Sequence, residues 1–256
     1  MKKKKNKLII VGVVVIIFLC LGIFCLVNDS INKLNSKASS NDELGKSLYY
    51  KVTYGRFFDN YLTSNTKVTI DSFKNEEKFV YATQNLYADD YKEITTNTDG
   101  KKVYFVTKEA MSKALKKLFG DSVKYDEITS FKAFINVNQD LSGIATYQQT
   151  TNGYNVIINE INEETLKLKY FSTYEKMTET NKKVKVYEKI AYVKYDSKTE
   201  AMKVYKDFNH KHIIKTTDSK KPQSSNYYLK RGGCIVYTFS KDKEGNYYFI
   251  SSEVIS

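Results

Sequence analysis

The 256-residue sequence contains no tryptophan, one proline, two histidines and three cysteines. Cys20 and Cys25 lie inside an apolar run, so Cys234 is the single cysteine in the rest of the chain. One cysteine cannot form an internal disulfide, which excludes the disulfide-stapled class of small secreted domains. The absence of Cys-x-x-Cys and His-Glu-x-x-His patterns also excludes the common zinc motifs. The fold must therefore be stabilised by packing alone.

The apolar run covers residues 8–27 and is preceded by five lysines within residues 1–7. At about 1.5 Å per residue, a helix of this length matches the hydrocarbon core of a bilayer, about 30 Å thick. Lysines beside a span stay on the cytoplasmic side, so residues 1–7 are predicted to be a cytoplasmic tail and 8–27 a transmembrane signal anchor. A cleaved signal peptide is the alternative, although the nearest small-x-small site, at 36–38, lies well past the run.

Residues 28–43 are polar and rich in Asn and Ser, which predicts a flexible linker. Residues 44–256 are then predicted to form an extracytoplasmic domain. The chain has 22 tyrosines and 14 phenylalanines. Disordered chains are poor in aromatic and branched residues, so this part is expected to fold around a real core.

The net charge is +12, and the five lysines of the tail leave +7 for the part predicted to be exported. This charge favours anionic partners such as wall polymers or phospholipid head groups. Other envelope proteins are the second class of expected partner. A lysine-rich composition would give the same positive net charge even if the lysines only formed a solvated surface and bound no partner. The predicted topology disfavours nucleic acid.

Apolar residues at helical spacing predict three helices, over 43–62, 72–87 and 108–119. The third is the clearest of these. Thr107 can cap its N-terminus, Glu109 lies in its first turn, and Gly120 follows its last residue. An acid early in a helix and a glycine after its end are what the helix dipole and the terminal backbone conformation favour.

After the third helix the apolar period changes to two, which predicts an antiparallel meander. The predicted strands cover 131–137, 143–149, 154–161, 166–170, 184–195, 202–205, 212–215, 235–239 and 247–255. The last two form the clearest hairpin, whose turn contains Gly245. Helices first and strands afterwards predict an α+β fold class, with about three helices packed on a curved antiparallel sheet. Cystatin-like and NTF2-like folds have such a layout.

His210 and His212 would face the same side of a strand, with Asp207 nearby. Two imidazoles can begin a metal site, but zinc takes three or four protein ligands. A short exposed polar strand accounts for the pair equally well. No metal ion and no other cofactor is therefore predicted.

Residues 136–140, Asn-Val-Asn-Gln-Asp, alternate oxygen-bearing side chains as the start of a calcium loop does. The position that requires glycine holds Leu141, and the twelfth position holds Tyr147 in place of glutamate. The EF-hand pattern thus fails at its two most demanding positions. A strand end followed by a turn is predicted here.

Cys234 follows Arg231 and two glycines, and it begins an apolar strand. With Arg231 and either histidine it forms the one candidate nucleophilic set that the sequence offers. An anchored β domain with these residue types resembles a sortase in layout. Sortases carry Thr-Leu-x-Thr-Cys before the nucleophile, whereas this sequence has Lys-Arg-Gly-Gly-Cys, so a packed structural thiol is favoured.

Together these observations predict a membrane-anchored extracytoplasmic protein of a bacterial cell envelope. It would be a binding or interaction module without enzyme activity, and no catalytic, cofactor-binding or metal-binding residue is assigned. A subunit of a secretion or conjugation assembly is the alternative, because a short tail, one span and an NTF2-like domain recur there. A cysteine-dependent envelope enzyme of sortase-like layout is the third interpretation.

Overall fold

The computed structural model describes residues 41–53, 61–64, 66–96, 100–159, 169–180, 182–196, 199, 201–218 and 223–255. The chain divides into two compact units, Met1–Leu44 and Gly45–Ser256, and nearly all described residues belong to the second. The predicted tail, the predicted span over 8–27 and most of the predicted linker lie outside the described residues. In the ranges given above, no helix is long and apolar enough to cross a membrane.

The α-helices of the described part are α1 (41–53), α2 (Tyr61–Ser64), α3 (Asn75–Ala82), α4 (Lys108–Phe119) and α5 (Ser225–Leu229). Helix α4 has the predicted bounds. Thr107 Oγ1 accepts a hydrogen bond from the Ala110 amide at 3.0 Å, and Gly120 ends the helix with a φ of 89°. Its buried residues recur every three or four positions, so they form one apolar face.

The second predicted helix, over 72–87, is wrong in length. Helix α3 is eight residues long, and short 3₁₀ turns precede and follow it. Thr83 Oγ1 donates a hydrogen bond to the Val80 carbonyl at 2.7 Å, which competes with continuation of the helix. The first predicted helix is described as α1 up to residue 53, and residues 54–60 lie outside the described ranges.

The described strands are β1 (Lys67–Thr69), β2 (Lys92–Thr96), β3 (Lys102–Thr107), β4 (Ser130–Asn136), β5 (Ser142–Gln149), β6 (Gly153–Asn159), β7 (Tyr170–Glu179), β8 (Lys183–Tyr195), β9 (Ala201–Tyr205), β10 (Ile213–Asp218), β11 (Gly233–Lys241) and β12 (Tyr247–Ile255). They form two antiparallel sheets. The larger has the order β1-β12-β11-β8-β9-β10, with β7 paired to β8, and the smaller has the order β2-β3-β6-β5-β4. The predicted β11–β12 hairpin is confirmed.

Strand β8 is the longest strand of the larger sheet, with 13 residues. On one edge it pairs first with β11 and then, near its C-terminal end, with β9. Strand β7 runs along its opposite edge. This strand is thus covered by neighbours on both edges. Its side chains alternate between buried and more exposed positions up to Ile190, are buried to Val193, and are exposed at Lys194 and Tyr195.

Helices α3 and α4 carry aromatic side chains into both sheets. Phe79 of α3 contacts the ring of Phe131 in the smaller sheet, with ring centroids 5.5 Å apart. Phe119 of α4 contacts Phe249 of β12 in the larger sheet at 6.3 Å, and Phe73 packs against both of these rings. Edge-to-face ring packing of this kind fills the space between the helices and the sheets, although the sequence contains no tryptophan.

The predicted α+β fold class, with three helices on one curved sheet, is wrong. The fold is mostly β-sheet, with strands in two antiparallel sheets and only a few short helices. The prediction placed no strand before Gly120, whereas β1, β2 and β3 precede it. Valine and threonine in β2 and β3 favour strands, and the β2–β3 hairpin separates α3 from α4 along the chain.

Candidate functional site

Cys234 lies on β11 and is 8% exposed, and burial raises the pKa of its thiol above the ordinary value. Such a thiol is a poor nucleophile, because the thiolate is the reactive form. Among the residues described, no hydrogen bond joins Cys234 to either histidine, and Arg231 stacks on the Tyr227 ring at 4.0 Å. The structure therefore does not bring the candidate nucleophilic set together.

The two histidines lie in the segment between β9 and β10. The Asp207 carboxylate accepts hydrogen bonds from His212 Nδ1 at 3.0 Å and from the amides of Lys211 and His212 at 3.2 and 2.9 Å. Burial alone would raise the pKa of Asp207, but these hydrogen bonds lower it overall. His210 packs against the Tyr205 ring instead. No three His, Cys, Asp or Glu side chains of the described ranges are grouped to hold a metal ion.

Residues 136–140 end β4 and lead into the turn before β5. Asn138 Oδ1 accepts hydrogen bonds from the amides of Asp140 and Leu141, at 3.0 and 2.9 Å. Asparagine side chains commonly close turns in this way. The central oxygen of the suggested calcium loop, that of Asn138, thus holds the backbone of the predicted turn, while the Asp140 carboxylate pairs with Lys102 at 3.4 Å.

A cleft of about 280 Å³ opens between the start of α4, strand β6 and residues 121–129, which we call the strap. Its walls include Phe79, Lys108, Ser112, Tyr125, Glu127 and Tyr154. Aromatic rings and hydrogen-bonding groups thus face the same space, as they do in most small-molecule sites. The volume lies just below the range typical of such sites, roughly 300–1,000 Å³.

The strap follows the last turn of α4 and is held against the helices by side chains. Lys78 Nζ of α3 donates a hydrogen bond to the Lys124 carbonyl at 2.7 Å. Tyr125 OH donates to Ser112 Oγ of α4 at 2.9 Å, and the Tyr125 ring lies edge-on to Phe79 with centroids 5.8 Å apart. These contacts place the tyrosine and the residues after it over the first turns of α4.

Glu127 forms the polar rim of the cleft. Its Oε2 accepts hydrogen bonds from Lys108 Nζ at 2.7 Å and from Gln149 Nε2 at 2.6 Å. The lysine and glutamate side chains are 40% and 45% exposed, so their ion pair adds little to stability. The two donors nevertheless orient the carboxylate, and its Oε1 has no hydrogen-bond partner in the described part of the chain.

Tyr154 lies at the floor of the cleft and is 1% exposed. Its hydroxyl is buried, yet it has no hydrogen-bond partner of normal geometry among the residues described. Burial and the charge of Glu127 raise the pKa of Tyr154 to about 12, while a backbone hydrogen bond from Ile128, too long or bent to meet normal geometry, acts in the opposite direction. The hydroxyl is thus enclosed beneath the strap and is not accessible from the cleft. A buried unpaired hydroxyl costs about 1–3 kcal/mol.

Tyr91 and Tyr147 are two further buried tyrosines, and their hydroxyls are paired with each other. Both are buried, and their hydroxyls lie 2.7 Å apart in a hydrogen bond. The Tyr147 ring stacks on Phe131 and also contacts the Tyr154 ring, with centroids 6.5 Å apart. One aromatic cluster therefore contains a well-paired hydroxyl pair and, beside it, a poorly paired hydroxyl beneath the strap.

Replacing Tyr154 by Phe should raise the free energy of unfolding by about 1 kcal/mol, because it removes a buried polar group without a partner. Replacing Tyr147 by Phe should lower it by about 1–2 kcal/mol, because Tyr91 then loses its partner. Urea denaturation followed by circular dichroism measures both changes. The same sign for both variants would contradict this account of the two hydroxyls.

Lys51 of α1 is a second unusual group. Its Nζ donates a hydrogen bond to the Tyr247 carbonyl at 2.8 Å. Burial, together with the positive charge of Lys117, lowers the pKa of Lys51 from 10.5 to about 8. The protonated amine is therefore less favourable in the folded state than in the unfolded chain.

The lowered pKa of Lys51 predicts a pH dependence of stability. Below pH 8 the amine is protonated in both states and the folded state bears the penalty, which disappears as the pH rises to 10.5. The free energy of unfolding of Lys51→Met minus that of the wild type should therefore fall between pH 8 and pH 10.5. Urea denaturation across this range measures it, with Lys113→Met as the baseline for losing one lysine. A difference that stays constant or rises would contradict the assignment.

The sequence prediction missed both Tyr154 and Lys51. Tyrosine is an ordinary strand residue, so its place in a predicted strand carries no sign of a missing partner. Nothing in the spacing of residues 121–129 predicts that they cover the first turns of α4. No family of known proteins matches this chain, and neither a curated protein nor a solved structure matches it.

Proposed function

We propose that this chain is a membrane-anchored, non-catalytic binding module whose folded part lies outside the cytoplasmic membrane and binds a small ligand in the cleft. The observation that supports this most directly is the cleft itself, whose wall brings the half-exposed polar groups of Lys108 and Glu127 beside the ring of Tyr125. A few polar groups beside aromatic surface are typical of small-molecule sites. Membrane anchoring is proposed from the apolar run over 8–27 and the lysines before it.

The chemistry around the cleft favours binding over catalysis. A nucleophile needs a neighbouring base, but the Ser112 hydroxyl is the acceptor of a hydrogen bond from Tyr125. Glu127 is exposed and oriented by Lys108 and Gln149, so it lacks the apolar surroundings of a typical general acid. These groups are suited to hold a ligand by hydrogen bonds.

Blocking the cleft tests the binding function. We would screen a library of small polar compounds against the full chain in detergent by ligand-observed NMR. Ser112→Phe should abolish the binding of compounds that occupy the cleft, because the ring fills it. Lys113→Phe, on the exposed face of the same helix, should leave binding unchanged. If no compound depends on position 112, the cleft is not a binding site and the proposed function fails.

The proposed topology has its own test. A protease added to intact cells should degrade the part after residue 43 while the tail over 1–7 stays protected. Lysed cells provide the control, in which both parts are accessible. Degradation after lysis alone would place the folded part inside the cell and contradict an extracytoplasmic module.

A further inference from the structure

Lysines form a line on one face of the larger sheet. The pairing of β8 with β7 places Lys176 of β7 on the same face as Lys183 and Lys185 of β8. All three side chains are exposed, and we call these three residues the lysine face. Side chains on one face of a strand recur every two residues, so Lys183 and Lys185 lie about 7 Å apart along β8. The lysine face thus presents closely spaced positive charges to solvent.

Neither Lys183 nor Lys185 lies opposite an acid in the strands that the structure describes. Lys185 lies between Thr178 of β7 and Thr238 of β11. Lys183 lies opposite Ser240 of β11. Hydroxyl groups therefore border both ammonium groups. They do not neutralise the positive charge, but they can donate and accept hydrogen bonds.

Three acids near the lysine face have other partners. Glu175 pairs with Lys189 at 3.5 Å, and Glu179 pairs with Lys241 at 2.8 Å. The Asp242 carboxylate accepts hydrogen bonds within its own turn. No carboxylate of the described ranges forms an ion pair with a lysine of the lysine face. Like charges side by side in a sheet repel each other, and an anionic ligand would remove this repulsion.

The lysine face has little apolar surface. The ring of Tyr187 lies on it, but Lys176 covers this ring, with its Nζ 5.0 Å from the ring centroid. No large apolar side chain is exposed among the described residues from 170 to 189. Surfaces that lie on a bilayer insert apolar side chains between the lipids. A soluble anionic partner therefore fits the lysine face better than a bilayer does.

The kind of basic residue narrows the class of anion. The planar fork of arginine matches carboxylates, and neither β7 nor β8 contains an arginine. A lysine ammonium is a compact point charge and a common partner of phosphate oxygens. A line of such charges suits a chain that carries one negative charge in each repeat unit. The bordering hydroxyl groups suit repeat units that have oxygen atoms of their own.

We propose that the lysine face binds a linear polymer of polyol units joined by phosphodiester groups. Lys176, Lys183 and Lys185 contact neighbouring phosphodiester groups, and Thr178 and Thr238 form hydrogen bonds with the polyol oxygens. The lysine face shares no residue with the cleft, so this inference goes beyond the proposed small-ligand function and does not depend on it.

Fluorescence anisotropy with a labelled poly(glycerol phosphate) tests the proposal. The full chain is reconstituted in nanodiscs of phosphatidylcholine, whose head groups carry no net charge. The polymer should bind, and its affinity should fall as the ionic strength rises, because salt screens exposed charges. Poly-glutamate, a carboxylate polymer, should bind more weakly at the same ionic strength.

Paired lysine variants assign the binding to the lysine face. Replacing Lys183 and Lys185 together by Gln should weaken polymer binding about five- to tenfold, the loss expected for two exposed ion pairs. Replacing Lys113 and Lys116 together by Gln removes the same charge from exposed positions on α4. This control should change the affinity by less than about twofold, because salt screens charges outside the contact.

A variant that keeps every lysine provides a second test. Thr178→Glu places a carboxylate opposite Lys185, where it competes with the polymer for the ammonium group. Its affinity for the polymer should fall about fivefold or more, and its circular dichroism spectrum should match that of the wild type. An unchanged affinity in this variant would place the polymer away from β8.

Four further results would overturn the proposal. An equal loss of affinity in the α4 control would show a general charge effect. Equal binding of poly-glutamate would show that charge alone is recognised. Binding to phosphatidylglycerol vesicles that depends on Lys183 and Lys185, without polymer binding, would assign the lysine face to a bilayer. Absence of all binding would leave these lysines as a solvated surface, while the function proposed for the cleft would be unaffected.

Discussion

Replacing Glu188 by Ala should lower the free energy of unfolding by about 3–4 kcal/mol. Glu188 lies on β8 with 0% exposure, and its Oε2 accepts a hydrogen bond from Tyr237 OH at 2.6 Å. Its Oε1 accepts from Tyr49 OH of α1 at 3.2 Å. Removal of the carboxylate takes an acceptor from Tyr237 OH and one of the partners of Tyr49 OH, which also lies 3.2 Å from Ser172 Oγ. The lost hydrogen bonds to a charged acceptor cost about 1–3 kcal/mol, and the cavity adds to this. Urea denaturation followed by circular dichroism measures the change.

Two further variants make this prediction specific. Glu188→Gln keeps an acceptor for one phenol and should lose only about 1–2 kcal/mol. Glu253→Ala removes an exposed acid from β12 and should change stability by no more than about 0.5 kcal/mol. If Glu188→Ala were as mild as Glu253→Ala, the buried contact between α1 and the larger sheet would be wrong.

Replacing Gly232 by Ala should lower the free energy of unfolding by about 3 kcal/mol. A Cβ atom at this position would lie 2.1 Å from the Ile190 carbonyl oxygen of β8. Because that oxygen belongs to the backbone, the neighbouring strand must shift, and forced overpacking of this kind costs about 1–3 kcal/mol or more. Gly232 is thus explained by its close approach to β8, and a Cβ at Gly233 would lie 2.9 Å from the Lys206 carbonyl oxygen, so backbone packing accounts for both glycines without a nucleophile motif. Thermal and urea unfolding of the variant measure the loss.

Gly245 provides the matched control for Gly232. It has a φ of 89° in the β11–β12 turn, and a Cβ there would meet nothing within 4 Å. Gly245→Ala should therefore lose only about 1 kcal/mol, from backbone strain alone. An equal loss for the two variants would contradict the close approach of residue 232 to β8.

The elements that could be predicted from the sequence are those with local signals. Thr107 and Gly120 mark the ends of α4 by capping chemistry, and Gly245 marks the turn of the final hairpin. The apolar spacing over 72–87 was misleading, because Thr83 bonds back to the chain and ends α3 early. The division of the strands into two sheets depends on pairing between distant segments, which local periodicity does not determine.

The candidate site was less predictable than the fold. The chemical residues that stand out in the sequence, Cys234 and the two histidines, are buried or engaged in local contacts. Tyr154 becomes unusual only because the strap, about thirty residues earlier, covers its hydroxyl without supplying an acceptor. An absent partner is a property of three-dimensional packing, so no residue pattern could have predicted it.

The most direct test of binding in the cleft is a carbon NMR spectrum of the full chain labelled at the tyrosine Cζ atoms. This carbon reports on hydrogen bonding of its hydroxyl, and Tyr125→Phe and Tyr147→Phe identify two of the 22 resonances. Titration with a compound whose binding Ser112→Phe abolishes should move the Tyr125 resonance, because the Tyr125 hydroxyl bonds Ser112 in the cleft wall, and should leave that of Tyr147 in place. A Tyr125 resonance that stays fixed at saturating compound would contradict the account.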